Sequence, residues 1–237
     1  MMQYLPSNHP STSARSNPSL ISAHSLSDYD GCTAPLIGIR AFQAAPAIYC
    51  SETISDVIKK DHREIESHYD KLLKSPDMDE QTRFQNLFTW ELARHSIGEE
   101  LVVYPAFEKH LSGGADMANK DRQEHFEVKE QLKAFQNMAP SDSQFIPTIK
   151  SLMKNLSEHI KEEETHDLPR LEEALSAEDS QTHARSFGRT KMFVPSRSHP
   201  TAPDKPPFET AVGLLTAPID RLADLFRKWP DTSESPK

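Results

Sequence analysis

The stretch HSIGEELVVYPAFE at residues 95–108 decides the fold, because it returns as HIKEEETHDLPRLE at residues 159–172. The histidine, the pair of glutamates, the proline and the final glutamate coincide in the two stretches at an offset of 64 residues. Upstream, HREI at residues 62–65 matches HFEV at residues 125–128 at an offset of 63. Each half of this region therefore carries a single histidine followed by an H-x-x-x-E motif, which indicates an internal repeat.

Apolar residues recur at helical spacing through this region and predict four helices, at about 54–74, 80–110, 115–138 and 143–175. Short breakers separate them: Ser75-Pro76-Asp77, Gly113-Gly114 and Ala139-Pro140-Ser141. Connections this short place consecutive long helices antiparallel and adjacent. We therefore expect an all-α fold, an up-down-up-down four-helix bundle with a pseudo-two-fold repeat.

The flanks of the bundle differ from it in composition. Residues 1–50 are rich in Ser, Pro, Ala and Asn, which predicts a disordered arm before a bundle at 51–176. Residues 177–237 form a Pro-rich extension with an amphipathic helix at about 209–229. Its apolar stripe consists of Leu215, Ile219, Leu222 and Phe226. Docking on the bundle, binding a partner and lying on a membrane are the alternatives for this stripe, and docking is favoured.

Composition excludes several classes of protein. A formal net charge of −9 offers no basic surface for nucleic acid. The two cysteines, Cys32 and Cys50, lie in the arm, which argues against a disulfide scaffold and a thiolate metal site. No apolar run approaches the ~20 residues of a membrane span. We expect a cytoplasmic protein, with a mitochondrial location as the alternative.

The repeated histidines and glutamates lie on the apolar faces of the predicted helices. Positions i and i+4 share a helix face, so His95 with Glu99 and His159 with Glu163 each present two metal-binding groups together. His62 and His125 fall among apolar residues on the first and third helices. Ordinary core histidines and glutamates are the alternative, but burying such groups without a cation costs several kcal/mol per unpaired charge. The pattern therefore favours a metal site.

This pattern resembles the hemerythrin-like (HHE cation-binding) family, and the Pro-rich extension is similar to that of fungal members. The resemblance covers about residues 54–175 and implies a non-haem diiron site. It implies four histidines as terminal ligands, namely His62, His95, His125 and His159. It implies two glutamates as bridges between the ions, namely Glu99 and Glu163. Two iron ions suit this donor set better than tetrahedral zinc does, and manganese is the alternative.

The implied ligands do not fill the coordination positions of two six-coordinate ions, which leaves room for a small molecule. Hemerythrin-type oxygen carriers use a fifth histidine, and Lys129 stands at the corresponding position here. Several further side chains could contribute, although a supporting or solvated role is favoured for each: Glu66, Glu91, His166 and the inward Tyr69. His68 and His110 are expected at the surface.

Three functions fit these residues. The chain could bind dioxygen or a related small molecule at its metal ions, and this is the prediction. It could instead be a diiron oxidoreductase acting with oxygen, peroxide or nitric oxide, in which case an external electron donor is needed, because no flavin or nicotinamide motif is present. It could also be a regulatory module that responds to iron or oxygen. Fold and ligands are common to all three.

Overall fold

Every regular element in the described part of the chain, residues 52–201 and 208–231 of a computed structural model, is a helix. In chain order they are α1 (Ile54–Lys74), α2 (Met78–Gly98), α3 (Tyr104–His110), α4 (Gly114–Phe135), α5 (Phe145–Glu162), α6 (Leu168–Ala174), α7 (Ala177–Lys191) and α8 (Phe208–Asp224). Two π-helical turns, π1 (Glu99–Val103) and π2 (Glu163–Asp167), join α2 to α3 and α5 to α6. The predicted all-α bundle is confirmed, and the predicted arm at 1–50 lies outside the described residues.

We call the part from α1 to α3 the first hairpin and the part from α4 to α6 the second hairpin. Local sequence signals set the ends of their helices. Thr53 begins α1 with a capping box, in which its hydroxyl accepts from the Asp56 N–H at 3.1 Å and its own N–H donates to Asp56 at 3.0 Å. Asp77 caps α2 by accepting from the Glu80 N–H at 2.8 Å. Gly113, at φ 75°, supplies the left-handed turn before α4. These turns place neighbouring helices side by side, α1 with α2, α3 with α4, α4 with α5, and α5 back against α1.

The apolar core consists of two clusters separated along the bundle axis by a polar layer. One cluster contains Ile65, Phe88, Leu132 and Leu156, and the other contains Ile58, Val103, Phe107 and Leu168. Along α1, His62 lies between Ile58 of one cluster and Ile65 of the other. The other three predicted ligand histidines likewise lie between residues of the two clusters along the chain. The polar layer is therefore built from the repeated residues.

The two π-helical turns begin at the two glutamates of the H-x-x-x-E motifs. The Tyr104 N–H donates to the Glu99 carbonyl and the Leu168 N–H to the Glu163 carbonyl, each five residues back. The residue after each donor is a proline, Pro105 or Pro169, which has no N–H to donate and crowds the carbonyl four residues earlier. The prolines thus explain why both helices widen at this level.

Helix α7 was missed by the sequence analysis, which treated the chain after residue 177 as polar extension. It lies against α1, α2 and π1. Phe187 is fully buried, and its ring packs edge-on against His95 with centroids 6.0 Å apart. The Ser180 hydroxyl accepts from the Ile54 N–H at 3.0 Å. The extension therefore contributes to the bundle.

The predicted docking of the C-terminal apolar stripe is wrong. Ile219, Leu222 and Phe226 are 69%, 62% and 85% exposed, and the side chain of Leu215 lies outside the described part. The inward face of α8 instead carries two buried acids. Asp220 contacts His199 at 3.0 Å, and Asp224 accepts from Arg197 at 3.3 Å. Specific ion pairs rather than apolar area orient this helix.

None of the helices in the described ranges combines the length and the apolar character that crossing a bilayer requires.

Gly98 provides a test of how closely α7 packs. A Cβ at Gly98 would lie 2.7 Å from Phe187 Cε2, whereas a Cβ at Gly188 on α7 would meet nothing within 4 Å. We expect Gly98→Ala to lower the free energy of unfolding by about 1–3 kcal/mol, because a buried ring must move. Gly188→Ala is the matched control and should raise it by up to about 1 kcal/mol through helix propensity. Chemical denaturation measures both, and equal stability of the two variants would contradict the packing.

Candidate metal centre

The structure brings the six predicted ligands together in the polar layer, and all six are buried. His95 Nε2 lies 3.1 Å from Glu99 Oε1, and His62 Nε2 lies 3.3 Å from Glu163 Oε2. The second hairpin closes the group. His125 Nε2 lies 3.4 Å from Glu99 Oε2 and 3.1 Å from His159 Nε2. Each of the four histidines thus turns Nε2 toward the same small volume.

Glu99 stands between two groups of potential metal-binding atoms. One group comprises His62, His95 and Glu99, the other Glu99, His125 and His159, and within each group the atoms lie within 4.8 Å of one another. Donors spaced in this way can surround one ion each, since metal–nitrogen and metal–oxygen bonds are about 2.0–2.2 Å long. A carboxylate shared by two such groups can contact an ion in each of them.

The buried polar atoms of this layer fit a cation. His62 Nε2, both carboxylate oxygens of Glu99 and both of Glu163 are buried without a hydrogen-bond partner. Buried carboxylate oxygens are normally satisfied, because each unpaired one costs about 1–3 kcal/mol or more. The donor set of imidazoles and carboxylates therefore suits positively charged ions in the space that these atoms face.

Burial and neighbouring charges shift the pKa values of the two glutamates in opposite directions. Burial raises the pKa of Glu99 well above its usual range, and the nearby carboxylate of Glu163 adds to the shift. Burial also disfavours ionised Glu163, but its contact with His62 and the charges of His62 and His159 outweigh burial and lower its pKa to about 2. Burial lowers the pKa of His125 to about 4, which keeps the ring in the neutral, metal-binding form.

Four carboxylates contact the histidine rings on the side away from the shared volume, and the sequence analysis missed them. The Nδ1 atoms lie 2.8–3.3 Å from carboxylate oxygens in four pairs: His62 with Glu164, His95 with Asp61, His125 with Glu100, and His159 with Glu124. An ionised carboxylate only accepts, so Nδ1 carries a proton and Nε2 is the ring atom left to bind a metal once it has lost its own proton. Each carboxylate also contacts a cation, respectively Arg63, Lys191, Lys129 and Lys120.

The internal repeat could have revealed these carboxylates. Asp61 and Glu124 each stand directly before a single histidine, at the offset of 63. Glu100 and Glu164 each stand directly after a predicted bridging glutamate, at the offset of 64. The repeat unit is therefore an acid-histidine pair followed by H-x-x-x-E-E.

Tyr104 is the tyrosine of this layer. Its hydroxyl lies 2.9 Å from His125 Nε2, it is fully buried, and burial raises its pKa well above the usual range, so it stays protonated. Tyr69, predicted to point inward, is only partly buried and lines a surface cavity with Arg63 and Glu66. The prediction missed Tyr104 because the hydrogen bond of π1 reaches five residues back instead of four. This turn rotates the following side chains around the helix axis relative to an uninterrupted α-helix.

The remaining side chains singled out by the sequence lie around the centre. Glu66 pairs with Arg63 at 3.2 Å, and His166 is exposed. Glu91 is buried and pairs with Lys191. The expectation that His68 is a surface residue is wrong, because it is 1% exposed and shares the helix face of the buried Ile65 and Leu72. His110 is half-buried, with its ring 6.2 Å from that of His183.

Fold and site together define a metal-binding helical bundle of the histidine–carboxylate type. The model of the hemerythrin HHE cation binding domain matches residues 53–171. An uncharacterized hemerythrin-like protein of Schizosaccharomyces pombe is 53% identical over 195 residues, which covers 82% of this chain and 96% of that protein. The chain belongs to the hemerythrin HHE family.

Two further relatives are more distant. A hemerythrin HHE cation binding domain-containing protein from Mycobacterium kansasii shares the fold with a TM-score of 0.53 at 20% identity, over 60% of this chain and 86% of that one. A protein named DNA nickase from a Nostoc species is 25% identical over 144 residues, which cover 61% of this chain but only 40% of the Nostoc protein.

Glu164 tests whether the carboxylates that contact the histidine Nδ1 atoms support metal binding. Replacing Glu164 with Ala removes the acceptor that orients His62, so we expect about 10–100-fold weaker metal binding with the fold retained. Glu158→Ala, on the same helix but exposed, is the control and should bind as the wild type does. Competition with a chelator of known affinity gives both dissociation constants. Equal constants would show that the carboxylate does not position His62.

Proposed function

We propose that the bundle holds two iron ions and that this pair binds or reacts with dioxygen. The proposed ligands are the six residues of the polar layer: His62, His95, His125 and His159 as terminal ligands, Glu99 and Glu163 as bridges. One observation carries the proposal. Both oxygens of each glutamate are buried without a hydrogen-bond partner, and Glu99 belongs to two separate ligand groups.

Iron fits the donor set better than zinc does. Zinc in structural sites is tetrahedral, and two imidazoles with two shared carboxylates per ion would fill all four positions and leave none for a small molecule. Iron and manganese accept mixed nitrogen and oxygen donors at six-coordinate sites, and imidazole favours iron over manganese. Four imidazoles and two carboxylates leave coordination positions open, which favours binding of a small molecule.

Iron, when bound, would supply redox and Lewis-acid chemistry. The protein's own residues orient and shield it. Four carboxylates hold the histidine rings by Nδ1, and apolar clusters on both sides of the layer limit access of water. Tyr104 keeps a hydroxyl proton beside His125 Nε2, where it can donate to a small polar ligand in the layer.

An oxidoreductase is the second candidate, favoured by the open positions and by the protonated Tyr104. It would need an external electron donor. A regulatory role shares the same centre and would use metal-dependent stability as its output. The activity named for the Nostoc protein is not carried over, because the match covers only 40% of that protein and a net charge of −9 does not favour DNA binding.

Metal analysis tests the centre itself. Protein made in iron-replete medium should contain about two iron ions per chain, as a dinuclear bundle site requires. His159→Ala should lose most of this iron and unfold at lower temperature, because a buried ligand is removed and metal no longer stabilises the fold. His166→Ala is the matched control, since His166 is exposed only seven residues away. Full iron in His159→Ala would exclude His159 as a ligand.

Oxygen reactivity distinguishes the candidates. The iron protein is reduced without oxygen, then mixed with oxygen and followed by optical spectroscopy. A reversible spectral change supports oxygen binding, and repeated consumption of oxygen with a donor supports an oxidoreductase. Tyr104→Phe should keep its iron but weaken the oxygen-dependent change about 2–10-fold, the value of one hydrogen bond. Tyr69→Phe is the control, and an iron protein that shows no response to oxygen would contradict the proposal.

A further inference from the structure

A group of carboxylates lies beside the second hairpin's half of the centre. Asp121, on α4 one turn before His125, is 2% exposed, and its Oδ2 has no hydrogen-bond partner. Its carboxylate lies within 4.8 Å of the polar atoms of Glu124 and His159. Asp167, at the end of π2, is also buried, and its charge acts on Asp121. We call Asp121, Glu124 and Asp167 the outer cluster.

The internal repeat shows that the fold does not need acids at these places. At the offset of 63, Asp121 corresponds to Ile58, and at the offset of 64, Asp167 corresponds to Val103. Ile58 and Val103 are both fully buried in the apolar core. Apolar residues therefore satisfy the same positions in the first hairpin, and an ionised acid buried in the second costs desolvation free energy unless a proton or a cation neutralises it.

The first hairpin also shows what offsets buried acids there. Asp61, the counterpart of Glu124, lies in a group with Glu64 and Glu91, and Lys191 from α7 enters this group to contact Asp61 and Glu91. Lys191 is itself buried. In the described part of the chain, no lysine or arginine forms a salt bridge with Asp121 or Asp167. Lys120 contacts Glu124 at 3.3 Å, but its side chain is 49% exposed and also pairs with Glu162.

We propose that the outer cluster is a binding site for a divalent metal cation, from which ions pass into the dinuclear centre. The site itself follows from the buried acids, whereas the transfer rests on the proposed function. Imidazole suits Fe²⁺ better than carboxylate oxygens do, so a site of carboxylates should hold Fe²⁺ less tightly than the centre does, which suits an ion in transit. Glu124 is 33% exposed and contacts His159 Nδ1 at 2.9 Å, so it joins solvent to the centre.

The test uses the full chain freed of metal and titrated with Fe²⁺ without oxygen. We expect the wild type to bind one weaker ion in addition to those of the centre. Asp121→Ile combined with Asp167→Val introduces the residues of the first hairpin, so the fold should be retained. The double variant should lose the weaker ion and fill its centre at least about tenfold more slowly, because a concentration of charge of one sign raises the rate of ion capture.

The control is Glu130→Ile, which replaces an exposed acid on the same helix and should load at the wild-type rate. If the double variant unfolds at a lower temperature than the wild type, Asp121→Asn replaces it, because this change keeps the shape of the side chain. Asp121→Asn should also lose the weaker ion. A double variant that binds the same number of ions at the same rate would overturn the proposal. A wild type that keeps the weaker ion but fills no dinuclear centre would support the outer site and refute the proposed function.

Discussion

The burial of Glu99 and Glu163 side by side, one from each hairpin, is the constraint on which the structure depends. Two carboxylates without solvent repel each other, and a neighbouring cation relieves this repulsion. The four histidines that surround them lie in one layer across the bundle, with apolar clusters above and below. Because this layer interrupts the core, metal that binds there also contributes to the stability of the fold. If these six side chains hold the metal as proposed, binding and folding are coupled through them.

The sequence predicted most of the bundle and the residues of its polar layer, because both follow from a repeat. Four long helices with short breakers allow few arrangements, and histidines at matching places in two hairpins must meet at one depth. The carboxylates behind the histidines follow the same repeat, as Asp61 and Glu124 show. The apolar pattern of the helices did not predict them, because these acids stand beside the repeated histidines and glutamates along the chain and not on the predicted apolar faces.

Other features could not be predicted, since each depends on tertiary context. Helix α7 is mostly polar, and its docking depends on a few residues such as Phe187 and Lys191, too few to give a periodic signal. On α8, the side chains of Ile219 and Leu222 face outward, while Asp220 contacts His199 and Asp224 pairs with Arg197 on the opposite side. Tyr104 reaches the polar layer only because π1 changes the phase of its helix.

The two halves of the bundle carry the same set of histidines and glutamates in the polar layer but differ in what surrounds them. Helix α7 covers the first hairpin, and its Lys191 neutralises the acids behind His95. Nothing equivalent covers the second hairpin in the described residues, where Glu124 behind His159 reaches solvent and pairs with the exposed Lys120. A pair of ions held by equivalent ligands would therefore experience different solvent access and different nearby charge. Exchange with solvent would take place on the side of His159, while the side of His95 stays closed.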